Sequence, residues 1–250
     1  MNLLDEEILL KLTSAHSVVF FTGAGVSAES GIPTFRGKDG IWNKLKPEEL
    51  ANFSAFLKNP ELVWEWYKHR KQIVHDSLPN PAHNTISDFQ KLFSSVSVIT
   101  QNIDNLHKRA GSKYIFELHG NIERNYCIKC KTFYNDEIIF NEPFPKCKCG
   151  GLIRPDVVWF GEYLPQDQFV GGENAASECD VFFIVGTSGI VYPAASLIFV
   201  AKESGAYLVE VNLEETEMSS IVNKSFYGEA GKILPQIYSE LKSAMEIKSN

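Results

Sequence analysis

Four short apolar segments dominate the hydrophobic pattern of the chain. Each is rich in valine, isoleucine or phenylalanine and is followed by small or polar residues; they are Val18 to Thr22, Val96 to Thr100, Val181 to Val185 and Tyr207 to Val211. Runs that are apolar on both faces and separated by helix-like stretches are typical of parallel strands in a doubly wound sheet. The pattern therefore predicts an α/β fold whose ligand site lies beyond the carboxyl ends of these strands.

Two insertions interrupt this pattern. Residues 37–83 predict helices with many aromatic side chains, and residues 121–154 carry four of the five cysteines. Within the first insertion, Asn59-Pro60-Glu61 predicts a helix start, because a capping amide, a proline and an acidic residue follow one another. We expect the two insertions to form a smaller domain beside a Rossmann-like domain made of residues 1–36, 84–120 and 155–250.

Composition and charge exclude several classes of protein. The chain has 24 Lys and Arg residues against 31 Asp and Glu residues, a net charge of −7, so general nucleic-acid binding is not expected. No apolar run reaches the roughly 18 residues of a membrane span. The acidic start MNLLDEEILL predicts a helix, not a signal or transit peptide. These features favour a cytoplasmic protein without a membrane partner.

The clustered cysteines predict a metal site. Four of the five lie close together in sequence, as the pairs Cys127, Cys130 and Cys147, Cys149. Four thiolates are typical of one structural zinc ion, because they leave no open coordination position for chemistry. Only one residue separates the second pair, and Gly150 and Gly151 could supply the turn that brings both sulfurs inward. A distorted or weakly occupied site and a catalytic dithiol are the alternatives. The remaining Cys179 is predicted to be a small core side chain.

A glycine-rich loop, Gly23-Ala24-Gly25-Val26-Ser27, follows the first predicted strand. Free backbone N–H groups between a strand and a helix favour a bound phosphate. The match to a dinucleotide-binding fingerprint is incomplete, because the third glycine, Gly31, is out of register. A plain strand-to-helix turn therefore explains the loop equally well.

The longer segment GAGVSAESGIPTFRG, from Gly23 to Gly37, resembles the hallmark of the sirtuins, which are NAD-dependent protein deacylases. Five further segments are similar to the remaining sirtuin motifs and follow in the family's order: Gln101 to Asp104, Leu118 to Gly120, Val158 to Glu162, Gly186 to Ser188 and Val211 to Asn212. The resemblance covers about residues 10–240. It implies a Rossmann-like domain that binds NAD and a smaller domain with a structural zinc.

The resemblance also implies which residues bind NAD. Asp104 would hold the nicotinamide carboxamide, and Gln101 and Asn102 would contact the ribose, although an Asx turn explains Asn102 and Asp104 equally well from local sequence. The implied set is Gly23, Ala24, Gly25, Ser27, Ala28, Glu29, Phe35, Arg36, Trp42, Gln101, Asn102, Ile103, Asp104, Gly186, Thr187, Ser188, Asn212, Glu214 and Ala230.

His119 is the candidate general base. A neutral imidazole can accept a proton at physiological pH. In the sirtuin reaction, the acyl-lysine carbonyl oxygen attacks the ribose carbon that bears nicotinamide. The resemblance implies that His119 then deprotonates a ribose hydroxyl, and that water completes the release of lysine and O-acyl-ADP-ribose. The other histidines, His16, His69, His75, His83 and His107, are predicted to be surface or satisfied core residues.

Tyr67 and Arg70 are candidate readers of the acyl group. They lie three residues apart, on one face of the predicted helix, where a phenol and a guanidinium can together receive a carboxylate. An amphipathic helix with Arg70 extended over the aromatics is the simpler interpretation of the sequence alone. The resemblance favours the first, because Tyr-x-x-Arg marks the sirtuins that remove succinyl, malonyl or glutaryl groups, and Ala51 matches the small residue that gives space to the acyl chain. A shorter acetyl group would also fit.

The partner implied by the resemblance is an acyl-lysine protein or peptide. Two segments, Val158-Trp159-Phe160 and Gly189-Ile190-Val191, are similar to those that hold the substrate as an added strand. Two other functions stay open. A mono-ADP-ribosyltransferase or NAD hydrolase would use the same pocket, and a zinc-ribbon interaction module would bind NAD without turnover. The intact Asn102, Asp104 and His119 argue against the module.

Overall fold

Nine strands form two sheets in a computed structural model that describes residues 3–34, 50–134 and 143–249. In chain order they are β1 (Ser17–Thr22), β2 (Ser95–Thr100), β3 (Tyr114–Glu117), β4 (Gly120–Cys127), β5 (Phe133–Tyr134), β6 (Ile153–Val157), β7 (Val181–Val185), β8 (Tyr207–Asn212) and β9 (Lys224–Tyr227). The larger sheet has the order β3-β2-β1-β7-β8-β9 and the smaller one β5-β4-β6. The α/β fold class and the four predicted strands, now β1, β2, β7 and β8, are confirmed.

All pairings in the larger sheet are parallel, and β1 lies at its centre. Phe20 of β1 is in register with Val98 of β2 on one side and with Phe183 of β7 on the other. Strands β2 and β3 lie on one side of β1, and strands β7, β8 and β9 lie on its other side. The connections therefore diverge beside β1, at the switch point where α/β sheets bind ligands.

Helices cover both faces of this sheet. In chain order the described helices are α1 (Glu6–Ser14), α2 (Gly25–Ala28), α3 (Phe53–Lys58), α4 (Pro60–Asp76), α5 (Pro81–Asp88), α6 (Leu106–Arg109), α7 (Gln166–Glu178), α8 (Ser196–Glu203) and α9 (Ala230–Ser249). Side chains alternate along β1, so Val18 and Phe20 pack with α1, α5 and α9, whereas Val19 and Phe21 pack with α7 and α8. None of the helices in the described ranges is long and apolar enough to cross a membrane.

The predicted helix start at Asn59 is confirmed. The Asn59 side chain accepts a hydrogen bond from the backbone N–H of Leu62, and Pro60 is the first residue of α4. The amide oxygen and the proline act on neighbouring residues only, so this helix start could be predicted without tertiary information. Cys179 is also a buried core residue as predicted, and burial raises the pKa of its thiol to about 12.

A third hydrophobic cluster joins the two insertions. Phe56, Trp64 and Tyr67 of the helical insertion pack with Ile122 and Ile153 of the smaller sheet. The indole Nε1 of Trp64 donates to the carbonyl of Ile153 at 2.9 Å. Because β4 begins at residue 120 and β6 spans residues 153–157, the boundaries proposed at 120/121 and 154/155 fall within continuous strands.

Two local features differ from the sequence prediction. The edge strand β9 was not predicted, because only Phe226 among its four side chains is buried and no apolar run marks it. The helix after the glycine loop, α2, is a single turn of four residues, so it contributes little dipole for binding a phosphate.

Candidate active site and metal site

The loops that follow β1, β2, β7 and β8 meet at the carboxyl edge of the larger sheet. The backbone N–H of Gln101 donates to the carbonyl of Thr22 at 3.0 Å, and its side-chain Nε2 donates to Thr187 Oγ1 at 2.9 Å. Asn212 Nδ2 donates to the carbonyl of Thr187 at 2.9 Å. Predicted NAD-binding residues from four separate loops are thus brought together, as parallel strands require.

Close packing of two loops explains the glycines after β1. The backbone N–H of Gly25 donates to the carbonyl of Gly186 at 2.8 Å. A Cβ on Gly25 would lie 2.8 Å from Gly186 Cα, and a Cβ on Gly186, whose φ is +59°, would lie 2.4 Å from the backbone N of Val26. No larger residue fits at either position, so these glycines are needed for the loop contact as well as for any close approach of a cofactor.

Ser27, Asn102 and Asp104 form a buried hydrogen-bonded group next to this contact. Ser27 Oγ donates to Asp104 Oδ2 at 2.7 Å, and Asn102 Nδ2 donates to Ser27 Oγ at 3.1 Å and to the carbonyl of Gly23 at 3.0 Å. Burial raises the pKa of Asp104, and hydrogen bonds from the Leu106 backbone and from Ser27 lower it in part. Both N–H donors of Asn102 are used within the protein, so its Oδ1 is the atom that would meet a ribose hydroxyl.

Two histidines lie behind this group. His83 Nε2 is 3.4 Å from Ser27 Oγ, His107 Nε2 is 2.9 Å from Thr22 Oγ1, and the ring centroids are 4.8 Å apart. Burial lowers the pKa of His83 to about 4 and that of His107 well below its usual value, so both rings are neutral near pH 7. Both are buried as predicted, but Nδ1 of His107 has no hydrogen-bond partner among the described residues, so this ring is not fully satisfied. Their contact with the site was not predicted, because no local signal separates them from the other histidines.

His119 is oriented by the loop after β2. Its Nδ1 lies 2.9 Å from the carbonyl oxygen of Gln101, so Nδ1–H donates and Nε2 is left to accept a proton. Burial lowers the pKa of His119, and the hydrogen bond to Gln101 raises it in part. The arrangement therefore keeps a neutral imidazole with a fixed tautomer, which is what a general base requires.

Tyr67 and Arg70 both lie in the interior, on one face of α4. Their side chains are 1% and 8% exposed, and the Arg70 guanidinium carbon is 4.9 Å from the ring centroid of Trp66. Burial raises the pKa of Tyr67 and lowers that of Arg70, while nearby Tyr67 and Asp104 favour the charged form of Arg70. Arg70 therefore stacks on Trp66 as a buried side chain and not as a solvated one, and the charge of the predicted nicotinamide-binding Asp104 favours its charged form.

The segment predicted to bind the substrate peptide is anchored through its own amides. The N–H of Val158 donates to the carbonyl of His119 at 2.9 Å, and that of Phe160 donates to the carbonyl of Ala51 at 3.0 Å. The N–H of Trp159 donates to Glu162 Oε2 at 2.8 Å. A peptide strand added here would therefore pair with carbonyl oxygens of the segment, because its three N–H groups already have partners.

The other predicted NAD-binding residues differ in burial and in their contacts. Glu29 accepts a hydrogen bond from the N–H of Gly231 at 2.8 Å, which ties the glycine loop to the start of α9 next to the buried Ala230. Ile103 is buried, Ala24 and Ser188 are half-buried, and Ala28 and Glu214 are exposed. The predicted residues Phe35, Arg36 and Trp42 lie outside the described residues.

The four clustered cysteines come together as predicted. Their sulfur atoms all lie within 4.8 Å of one another, and the Cys127–Cys149 and Cys130–Cys147 pairs are 3.5 Å apart. A tetrahedral zinc with four thiolates has sulfur atoms about 3.8 Å apart, so the cluster fits one structural ion.

Two glycines complete the shorter half of this site. Gly150 has a φ of +81°, and a Cβ on Gly151 would lie 2.7 Å from the sulfur of Cys127. The N–H of Cys149 points at the sulfur of Cys147 at 3.4 Å, as an N–H does toward a thiolate ligand. The turn predicted for the unusual Cys-x-Cys spacing is therefore present, and both sulfurs face inward.

Removal of one ligand should release the metal. We expect the purified protein to carry one zinc ion per chain, and Cys149→Ser to lose that ion and to unfold at a lower temperature, because the site joins β4 to the segment before β6. Metal content by mass spectrometry and thermal unfolding check this. Cys179→Ser is the matched control, since this buried cysteine lies in another cluster and should leave the metal content at one ion. Full zinc content in Cys149→Ser would contradict the ligand set.

Comparison with known proteins agrees with this geometry. The Sir2 family model matches residues 23–193. The NAD-dependent protein deacylase 2 of Pyrobaculum aerophilum is 47% identical over 249 residues, which cover 99% of this chain and 98% of the relative. The NAD-dependent protein deacylase of Aquifex aeolicus is 51% identical over 231 residues, which cover 90% of this chain and 95% of the relative.

Solved structures with bound ligands are similar over almost the whole chain. The complex of a Sir2 homologue with NAD superimposes with a TM-score of 0.90 at 43% identity and covers 98% of this chain and 96% of its own. A complex of Sir2 with a p53 peptide and NAD+ superimposes with a TM-score of 0.85 at 35% identity and covers 94% and 97%. The described sheets and loops thus have the arrangement found in proteins that bind NAD.

Proposed function

The chain belongs to the Sir2 family, and on this premise we propose that it is an NAD-dependent protein-lysine deacylase that prefers acyl groups ending in a carboxylate. Both relatives named above carry the deacylase name, and the similar structures hold NAD or NAD with a peptide. The observation that carries the acyl preference is Arg70, a buried cation beside Tyr67 on α4. Succinyl, malonyl and glutaryl groups offer the anion that this position favours.

The proposed NAD site consists of the loops at the carboxyl edge of the larger sheet. When bound, NAD would supply the electrophilic ribose carbon for the acyl oxygen, with nicotinamide as the leaving group. Asp104, held by Ser27, would receive the carboxamide N–H of nicotinamide, and Asn102 Oδ1 would receive a ribose hydroxyl. These polar groups are already fixed by hydrogen bonds within the protein, so binding requires little reordering of side chains.

The proposed general base is His119. Its Nε2 would accept the proton of a ribose hydroxyl, which would make that oxygen a nucleophile toward the acyl carbon, and water would complete the release of lysine and O-acyl-ADP-ribose. Because Nδ1–H stays bonded to the carbonyl of Gln101, the positive charge that forms on the ring lies next to a carbonyl dipole. The neighbouring Val158 is bonded to the His119 carbonyl, which places the base next to the segment proposed to bind the peptide.

Recognition of the acyl group is assigned to α4 and Ala51. Arg70 would pair with the terminal carboxylate through two N–H donors, and the Tyr67 hydroxyl would donate to it. Ala51 is 6% exposed and lies in the same hydrophobic cluster as Tyr67 and Trp159, where a larger side chain would occupy the space for the acyl chain. Burial of Arg70 strengthens its attraction to an anion, because little water screens it.

A panel of acylated peptides tests the function. Purified protein with NAD and matched acetyl-, succinyl-, malonyl- and glutaryl-lysine peptides should yield free lysine peptide, nicotinamide and O-acyl-ADP-ribose by mass spectrometry. We expect kcat/KM for at least one acidic acyl group to exceed that for acetyl by about tenfold, the effect of one charged hydrogen bond. ADP-ribose attached to protein, or free ADP-ribose without acyl transfer, would instead favour a transferase or NAD hydrolase.

A further inference from the structure

We propose that Trp159 is a positioning residue for acyl-group selection, because its indole N–H holds the Tyr67 hydroxyl in the orientation that receives the carboxylate. This inference rests on the proposed acyl preference. The sequence places Trp159 in the segment similar to a peptide-binding strand, but its side chain is 2% exposed and lies in the interior with Tyr67. The Trp159 side chain therefore faces the residues proposed to bind the acyl group, and not the surface where the peptide would bind.

The hydrogen bond between the two side chains has a defined direction. Trp159 Nε1 lies 2.7 Å from the Tyr67 oxygen, although the residues are 92 positions apart in sequence. An indole N–H can only donate, so the tyrosine oxygen accepts, and the hydroxyl proton of Tyr67 must point to another acceptor. Arg70 lies on the same face of α4. A carboxylate held by Arg70 is the acceptor that this geometry favours.

Trp159 is itself held by an ion pair. The Arg154 guanidinium carbon lies 3.4 Å from the centroid of the Trp159 ring, and Arg154 is 2% exposed. Its Nη1 and Nη2 bond the two carboxylate oxygens of Glu162 at 2.5 and 2.9 Å. Glu162 Oε2 also accepts the backbone N–H of Trp159. The pair therefore fixes both the backbone and one ring face of Trp159.

Aromatic rings also pack around the indole. The centroid of Phe56 is 5.3 Å from that of Trp159, and the centroid of Tyr67 is 6.2 Å away. Because the buried indole is held by the Arg154 guanidinium and by these rings, the position of its N–H is restrained. The donor direction of Tyr67 is thus set before substrate binds, and the carboxylate does not have to order it. An acetyl group has no carboxylate and gains nothing from this arrangement.

The first test measures selectivity. Trp159→Phe keeps an aromatic ring but removes the N–H, so we expect the ratio of kcat/KM for succinyl-lysine to that for acetyl-lysine to fall about fivefold, mainly through KM for the succinyl peptide. Tyr67→Phe should lower the ratio at least as much. In the double variant, the ratio should be no lower than in Tyr67→Phe alone, because both single changes remove the same interaction.

Trp64→Phe is the matched control. Trp64 is a buried tryptophan of the same cluster, and its Nε1 donates to the backbone of Ile153 and not to Tyr67. The control should change the rates for both acyl groups in the same proportion. If Trp159→Phe did the same, or if the double variant were the product of the two single effects, the positioning role would be overturned while the proposed acyl preference stood.

A second readout does not depend on activity. The chain has four tryptophans, and the indole N–H resonance of Trp159 in a ¹⁵N spectrum is the one lost in Trp159→Phe. We expect it to shift in Tyr67→Phe while the Trp64 resonance stays in place. An unshifted resonance would overturn the hydrogen bond itself. A wild-type protein without activity on any acidic acyl peptide would overturn the proposed preference, and the role of Trp159 in acyl selection with it.

Discussion

Replacing His119 by asparagine should lower kcat for every acyl group by about 10³-fold, the middle of the range for loss of a general base. The asparagine Nδ2 can still donate to the carbonyl of Gln101, so the backbone of this loop keeps its hydrogen bond, while the proton acceptor at Nε2 is lost. Single-turnover kinetics with acetyl- and succinyl-lysine peptides measure the effect, and circular dichroism confirms that the variant is folded.

Substitution of a histidine outside the site shows whether the loss of activity is specific to His119. His75 is exposed at the end of α4 and lies near Asp76, so His75→Asn should change the rates by less than about twofold. Retention of more than about a tenth of wild-type activity in His119→Asn would contradict its role as the base.

The pH dependence follows from the same geometry. Burial lowers the pKa of His119, and only its neutral form accepts a proton. The rate therefore falls as the pH decreases through this pKa, and the lowered pKa places the acid limb of kcat/KM below the usual histidine value of about 6.5. Near pH 7 the neutral form predominates. The limb should be absent from the residual activity of His119→Asn.

Replacing Arg70 by methionine should lower kcat/KM for succinyl-lysine by about 100-fold, because a buried charged hydrogen bond to the carboxylate is lost. Methionine fills similar volume without charge, so the packing against Trp66 is largely kept. Deacetylation should fall much less, since an acetyl group has no carboxylate to pair with Arg70. The ratio of the two kcat/KM values is the measurement.

Lys71 is the matched control for Arg70. It is the next residue on α4 and is also buried, but its Nζ donates to the carbonyl of Ile122 in the smaller sheet. Lys71→Met should therefore reduce both activities in the same proportion, through stability. Equal loss of desuccinylation and deacetylation in Arg70→Met would remove Arg70 from acyl recognition.

The sequence anticipated the candidate site in part. The strand ends predicted which loops would meet, and the contacts of Gln101 and Asn212 with Thr187 agree with this. The glycine loop does not by itself indicate a bound phosphate, because packing of Gly25 against Gly186 requires the glycines in any case. The contact of His83 with Ser27 could not be predicted, since no local sequence pattern distinguishes a histidine beside the site from any other histidine.

The sequence by itself determined the elements whose causes are local. The central strands follow from apolar runs, the start of α4 from Asn59 and Pro60, and the metal site from the spacing of cysteines with Gly150 and Gly151. Each of these depends on residues that are close in the chain. They can therefore be read from caps, periodicity and turn chemistry.

Only the tertiary structure decided what surrounds the acyl-binding residues. Tyr67 and Arg70 were predicted as neighbours, but their burial, and the bond of Tyr67 to an indole 92 residues away, arise when α4 packs on the segment after β6. The local sequence of α4 fits a solvated face equally well. Burial and charge environment are properties of the assembled core, because they depend on partners that no local pattern specifies.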